Sequence, residues 1–372
     1  MNGKEIPVSP STSEAFERFW SSPDVKDTLE GYARVAVGAS GGADSQALLF
    51  LMAAPGTQRP EWAPELVAFH IDHGLRDTAA DRAVVEALCE RLGLRLYVRR
   101  LSQKRLEKQR KATGSLEAAL RSERYRAFAS MARRSHCDMV VTAHHRDDVA
   151  ETFMLRLLRG SGLNGLGGME CLTEIDGLLI GRPLLGWSRE ELRDLAKDAG
   201  LEWSEDPTNR DESPMRNRVR RKILPVIEQY TDHPPAARIL ARTARLLARE
   251  GRVLQAVARP LYEHHCLRIS ERQLGLDLRA FREEAPDEML PYLLRLLWCE
   301  LLDTAYPPSL EHLDALADFA LSGRNGLHQS DMNVVAMLDR GGRLWCYRKP
   351  RRRMSRQEIV ASMRCEQEKA RE

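Results

Sequence analysis

Four short apolar runs, set apart by helix-length amphipathic stretches, limit how the first 200 residues of this chain can fold. Val35–Ala39, Leu66–His70, Leu94–Val98 and Met139–Ala143 are apolar or β-branched and bounded by polar residues or glycine, as buried strands are. Helical patterns run over Ser45–Met52, Thr78–Leu92, Ser115–Ser135 and Asp147–Arg159. This alternation predicts βαβ units, hence an α/β domain whose parallel sheet is covered on both faces. Ligands of such sheets sit at the carboxyl ends of the strands. Leu178–Leu185 predicts an edge strand, and Ser188 with Glu191 three residues on predicts a capped helix. Gly160–Glu170 holds five glycines, so neither a helix nor a regular strand is expected there, but a surface loop or a ligand lid.

The polar, doubly prolyl stretch Tyr230–Pro235 reads as a linker. Beyond it, Ala236–His265 is a long Leu/Ala/Arg helical pattern, and 285–320 is helical with a break at Pro307-Pro308. Asn333–Leu338 and Arg343–Tyr347 predict a small strand unit, and a charged, poorly ordered tail follows from Arg351. The expected organisation is an N-terminal extension (1–24), a catalytic α/β domain (25–229), a mostly helical C-terminal domain (237–350) and the tail (351–372). No run of 18 apolar residues occurs, which excludes a transmembrane helix, and Met1–Ser22 lacks a secretory core. The seven cysteines form no CxxC pair, which argues against a disulfide framework, a zinc site or a cysteine-held cluster and fits a reducing cytoplasm.

Ser40-Gly41-Gly42-Ala43-Asp44-Ser45 lies between the first strand and its helix. Two glycines there let the backbone turn sharply beside an anion, and the helix N-terminus offers free N–H groups and a positive dipole end. The Ser40 and Ser45 hydroxyls add donors. Asp44 would repel a bare phosphate, but it makes sense if Mg²⁺ sits between carboxylate and phosphate oxygens. The spacing is not that of a Walker A loop.

Further motifs have readings of their own. His70-Ile-Asp-His73-Gly-Leu-Arg76 closes the second strand; its histidines suit capping or nucleotide contacts better than a metal, since no cysteine or third histidine is near. Glu117, Arg121 and Tyr125 recur every four residues on one helix face, with Arg124 beside them. They are either a solvated Glu–Arg pair or a phosphate site, where the guanidinium fork binds bidentately. In Thr142-Ala-His144-His145-Arg-Asp147-Asp148-Val-Ala-Glu151-Thr152, Asp148 and Glu151 open a helix three residues apart. They are either acids favoured at a helix N-terminus or a paired site for a cation.

These motifs, with Arg159-Gly-Ser-Gly-Leu-Asn-Gly-Leu166, Asp206-Pro-Thr-Asn209 and Arg216-Asn-Arg-Val-Arg220, resemble those of the tRNA(Ile)-lysidine synthetase family, within the PP-loop N-type ATP pyrophosphatases. The likeness is dense over about 30–230 and thin beyond. It implies an adenine-nucleotide alpha-hydrolase-like fold and a ligase that spends ATP, with Mg²⁺, to join lysine to C2 of the wobble cytidine of CAU-anticodon isoleucine tRNA. The cytidine is adenylated, lysine displaces AMP, and decoding shifts from AUG to AUA.

By the same resemblance Ser40, Gly41, Gly42, Ala43, Asp44, Ser45, His70, Arg124 and His144 would bind ATP, with Asp44 on the metal. Asp148 and Glu151 would bind lysine and, with Asp44 and Arg121, form the catalytic set. A PP-loop tRNA cytidine thiolase is the alternative enzyme, although those enzymes typically carry cysteine pairs. A non-catalytic RNA-binding protein retaining the ATP fold is the alternative of another class. A homodimer is left open.

Net charge is only +3, and residues 1–230 balance 34 bases with 34 acids. RNA affinity must therefore be local. Arg99–Lys111, Arg216–Lys222 and Arg343–Arg356 are the basic clusters, each either a solvated face or a phosphate-binding patch. Arg216, Arg220, Arg221, Lys222, Arg348 and Lys349 are the candidate tRNA contacts. Trp345 and Tyr347 could stack on a base or fill a small core.

Overall fold

A computed structural model describes residues 9–53, 59–74, 79–205, 215–231, 235–304, 308–329, 334–350 and 354–369. Arg76, the 206–209 motif, Pro307, Asn333 and Arg351–Arg353 lie outside the described residues. The chain divides into two compact units, Met1–Arg156 with Gly168–Ala244, and Leu157–Gly167 with Arg245–Glu372.

The first unit opens with α1 (Pro10–Trp20) and α2 (Pro23–Leu29), then alternates β1 (Arg34–Gly38), α3 (Ala43–Ala53), β2 (Glu65–Asp72), α4 (Ala79–Leu92) and β3 (Leu96–Arg100). Next come α5 (Gln103–Thr113), α6 (Leu116–Ser135), β4 (Met139–Val141) and α7 (Arg146–Leu157). The short α8 (Leu163–Leu166) belongs to the second unit. Then follow β5 (Leu172–Ile175), β6 (Leu178–Gly181), α9 (Arg189–Asp198), α10 (Met215–Arg218), a π-helical turn (Val219–Ile223), α11 (Leu224–Gln229) and α12 (Ala236–His265).

The sheet order is β3-β2-β1-β4-β6-β5, parallel throughout except for the β5–β6 hairpin. Successive strand residues go to opposite cores. Val35, Val37, Leu66 and Ala68 join one apolar cluster; Ala36, Val67, Phe69 and Ile71 join the other. Helix α3 is buried nearly all round, from Ser45 to Met52, so it is a central helix and its N-terminus is held firmly. Phe16, Phe19 and Trp20 of α1 also enter the first cluster.

Three readings of the sequence change here. Leu178–Gly181 is an interior strand, because Leu172–Ile175 pairs on its outer side. Asp176 and Gly177 (φ 51° and 72°) make the tight turn between them. The glycine-rich segment does contain a helical turn, Leu163–Leu166, set off by Gly162 and Gly167. The basic stretch Arg99–Lys111 is mostly helix α5, anchored by one buried residue, Leu106.

The second unit continues α12 into β7 (Cys266–Ser270), β8 (Gln273–Asp277), α13 (Leu278–Glu284), α14 (Leu290–Leu302), α15 (Leu310–Leu321), β9 (Gly326–Gln329), β10 (Val334–Leu338), β11 (Arg343–Arg348) and α16 (Arg356–Lys369). It is therefore helical with a five-stranded antiparallel sheet, β7-β8-β11-β10-β9, rather than mostly helical. Trp345 and Tyr347 are core residues, packed with Val335, Ile359 and Met363, and the Trp345 indole N–H donates to Asp339 Oδ2 at 3.0 Å. That burial rules out their stacking on a base. The same contacts make α16 an ordered helix where a loose tail was expected, since Ile359 and Met363 cover the sheet face.

Candidate active site

Strand order turns over between β1 and β4, the switch point of the sheet, where a crevice opens at the strand ends. The loop 40–45 leaves β1 on one side of it and residues 142–148 leave β4 on the other. In the loop Gly41 has φ +87°, and a Cβ there would lie 2.8 Å from the Asp81 carbonyl oxygen, so only glycine fits. The Ser45 hydroxyl is turned inward: it accepts from Ser40 N–H and Ser40 Oγ (both 3.1 Å) and donates to Gly42 O (2.9 Å). Ser45 thus shapes the cradle from within.

A cavity of about 200 Å³ lies over this loop, bounded by Ser40, Gly42, Asp44, Ser45, His73, Arg124, Tyr125, Thr142 and His144 among others. A larger one, about 470 Å³, shares Ser40, Gly42, Asp44, His73 and Arg124 and extends to His70, Asp81, Asp148, Arg189, Arg193, Trp203 and Arg220. Among the described residues bounding these cavities, Asp44 Oδ1, His70 Nε2, Arg124 Nε, Arg189 Nε and Arg193 Nε are among the atoms buried without a hydrogen-bond partner. Burial is the main cause that lowers the Arg124 pKa, and the nearby charges of Arg121 and Arg216 push the same way. This guanidinium is short of anionic partners. Arg121 is exposed, its guanidinium over the Tyr125 ring at 5.1 Å.

Three histidines at the crevice have different surroundings. His70 Nδ1 donates to the Ala39 carbonyl at 2.9 Å, because a carbonyl only accepts. Its Nε2 is buried without a hydrogen-bond partner among the described residues. Burial holds His144 down to about 3, so it is neutral, with Nδ1 2.8 Å from Thr142 Oγ1. His145 is opposite. Burial would lower its pKa, but Asp147 and Asp44 beside its two ring nitrogens, with Asp148, lift it to about 10. The three carboxylates stand 3.5–3.6 Å from the ring. It is a buried imidazolium at neutral pH.

Asp148 and Glu151 do face one site, on the opening turns of α7, and that site is filled. Arg216 donates to Asp148 Oδ1 at 2.6 Å and to Glu151 Oε2 at 2.7 Å. Arg220 donates through Nε to Glu151 Oε1 and through Nη2 to Oε2 at 3.1 Å. Burial opposes the charged carboxyl of Asp148, yet His145 and Arg216 hold it at about 2. Glu151 is 1% exposed. The structure therefore brings four of the expected residues together, but pairs the expected lysine ligands with two of the expected tRNA ligands. Arg221 and Lys222 are exposed on the same segment; Arg348 and Lys349 are half-buried in the second unit.

Several site residues carry no motif signal. Arg189 and Arg193 reach the cavity from α9, and the Arg189 N–H donates to Asp147 Oδ2 at 3.0 Å. Arg182, 3% exposed, donates to Glu170 O (2.7 Å) and Thr173 Oγ1 (2.9 Å) and bridges the hairpin to the crevice wall. His145 was visible in the His-His pair, but its charge depends on three carboxylates from two loops.

The model of the PP-loop domain matches residues 13–227. A tRNA(Ile)-lysidine synthase from Pseudomonas aeruginosa is 41% identical over 252 residues, 67% of this chain and 50% of that protein. One from Bradyrhizobium sp. is 35% identical over 284 residues, 75% of this chain and 77% of that protein. The chain thus spans about half the length of the first and about three quarters of the second. The solved U34-tRNA thiolase NcsA from Methanococcus maripaludis covers 63% of this chain and 78% of its own, with TM-score 0.50 and 22% identity, a likeness of fold alone. No described helix is long and apolar enough to cross a membrane. On its matched domain and on relatives matched over about three quarters of their length, the chain belongs to the tRNA(Ile)-lysidine synthase family of PP-loop proteins.

Proposed function

We propose that this protein uses ATP to ligate lysine to C2 of the wobble cytidine in CAU-anticodon isoleucine tRNA, in the cytoplasm. The observation that carries the reading is the crevice itself. A glycine-bent anion cradle, an unpartnered buried carboxylate oxygen on Asp44 and an unpartnered buried guanidinium on Arg124 converge at one switch point, beside an acid pair built for cations. The family relationship supports the choice of substrates.

In this reading the loop N–H groups and the α3 N-terminus hold phosphate oxygens, and Arg124 neutralises charge that builds at the α-phosphate. Asp44 Oδ1 fits a hard cation in its donor chemistry and orientation; Mg²⁺ held there would neutralise the departing pyrophosphate. His145, with Nε2 3.5 Å from Asp44 Oδ2, positions the Asp44 carboxylate. The cytidine C2 oxygen takes the adenylyl group, turning a poor leaving oxygen into a good one. The ε-amine then attacks C2 and AMP departs.

Asp148 and Glu151 recognise the lysine cation, which takes over hydrogen bonds that Arg216 and Arg220 make here. With its carboxyl held near 2, Asp148 is too weak a base to deprotonate an ammonium, so its part is charge recognition. Arg221 and Lys222, exposed on the same segment, contact the tRNA backbone in this reading.

Incubation with ATP, Mg²⁺, labelled lysine and unmodified isoleucine or methionine CAU tRNA tests this. Label should enter the isoleucine tRNA only. Label in neither RNA at any Mg²⁺ concentration overturns the reading.

A further inference from the structure

The C-terminal ends of α12 and α13 meet in the second unit, far in sequence from every motif discussed above. The last two residues of α12 are His264 and His265, and the last of α13 is Glu284. His264 Nε2 lies 3.5 Å from Glu284 Oε1, and His265 Nε2 lies 3.2 Å from Glu284 Oε2. One ligand atom from each of the three falls within 4.8 Å of the others, the one such group of His, Cys, Asp or Glu among the described residues.

An ion pair would account for one imidazole on this carboxylate. It does not account for two, aimed at its two oxygens from adjacent positions in the chain. The two His–carboxylate separations, 3.5 and 3.2 Å, match the roughly 3.3 Å between ligand atoms about 2.0–2.1 Å from a tetrahedral zinc. The group is also preorganised. The His265 side chain is 1% exposed, its ring edge-on to His264 (centroids 4.8 Å) and to Phe281 (6.0 Å). Both helices present their negative dipole ends, which favours a cation between them. His264 and Glu284 are about half exposed or more, so remaining coordination positions open to water.

We propose that His264, His265 and Glu284 form a site for a divalent transition ion, zinc in class, that ties the end of α12 to the end of α13. Two imidazoles and one carboxylate suit Zn²⁺, Co²⁺ or Ni²⁺ and disfavour Mg²⁺, which prefers oxygen and retains its waters. The site is separate from the Asp44 carboxylate in sequence, ligand type and metal class.

The test is a titration of chelator-stripped full-length protein with Co²⁺, followed by its visible ligand-field bands, and then displacement by Zn²⁺. The wild type should take one equivalent with tetrahedral or five-coordinate bands, unaffected by millimolar Mg²⁺, and should melt higher with Zn²⁺ bound. His264→Ala and Glu284→Gln, both at exposed positions, should weaken Co²⁺ binding by at least tenfold and abolish the Zn²⁺ shift in melting. Asp44→Ala should leave the bands unchanged. Absent bands, or binding unaltered in both variants, would overturn the proposal.

Discussion

The two sides of the crevice differ in how their polar groups are satisfied. Around the loop, Asp44 Oδ1 and Arg124 Nε are buried with nothing to bond, whereas on the α7 side Asp148 and Glu151 are saturated by Arg216 and Arg220. Unsatisfied buried groups cost stability and are kept where a ligand supplies the missing partner. A saturated quartet is stable alone and must exchange partners to bind anything. The loop side is thus a site waiting for a ligand, and the α7 side is a site already holding surrogate cations.

That contrast can be broken by substitution. The largest effect should come from Asp44→Ala, which should reduce lysine transfer at least a hundredfold with little change in melting temperature, because Asp147 and Asp148 still face the His145 imidazolium. A matching drop in stability would mean that Asp44 is structural. Glu151→Ala should act in the opposite sense. It leaves Arg220 without its hydrogen-bond acceptor and Arg216 with Asp148 alone, and should destabilise the first unit by about 1–3 kcal/mol in denaturant unfolding. Arg124→Ala should raise the KM for ATP by roughly 10–100-fold with little change in unfolding. An unchanged KM would place the phosphates elsewhere.

His145 links the two sides and sharpens the comparison through pH. Its folded pKa, about 10, lies above the ordinary 6.5, so its contribution is complete below pH 6.5 and disappears as pH rises towards 10. Asp148, held at about 2, contributes above its ordinary 3.8 and is lost as pH falls towards 2. Urea unfolding should therefore weaken on both flanks, and His145→Gln should remove the alkaline decline while leaving the acid one. The smallest effect belongs to Arg221→Glu with Lys222→Glu, which should flatten the salt dependence of tRNA binding by one to two charges' worth of slope.

The first unit was largely legible in the sequence because its signals are local. Apolar runs mark the strands, three of them buried and β3, expected buried, a half-exposed edge, and Ser188 with Glu191 forms the expected capping box. The hairpin was missed although Asp176-Gly177 is a strong turn signal, because Leu172–Ile175 is short and half-exposed. The second unit was less legible: β7, β8 and β9 are strands of four or five residues, and the pairing of β8 with β11 that joins them into one sheet spans about 70 residues of chain. Within the site, residue types could be read but not their partners. Spacing brought Asp148 and Glu151 to one face; only the fold shows Arg216 and Arg220, 65 to 69 residues on, closing over them.

The most direct measurement is the mass of the wobble nucleoside recovered from isoleucine tRNA after incubation with the protein, ATP, Mg²⁺ and lysine. The account predicts cytidine plus lysine less one water. Unmodified cytidine, or a nucleoside that has exchanged oxygen for sulfur, would contradict it.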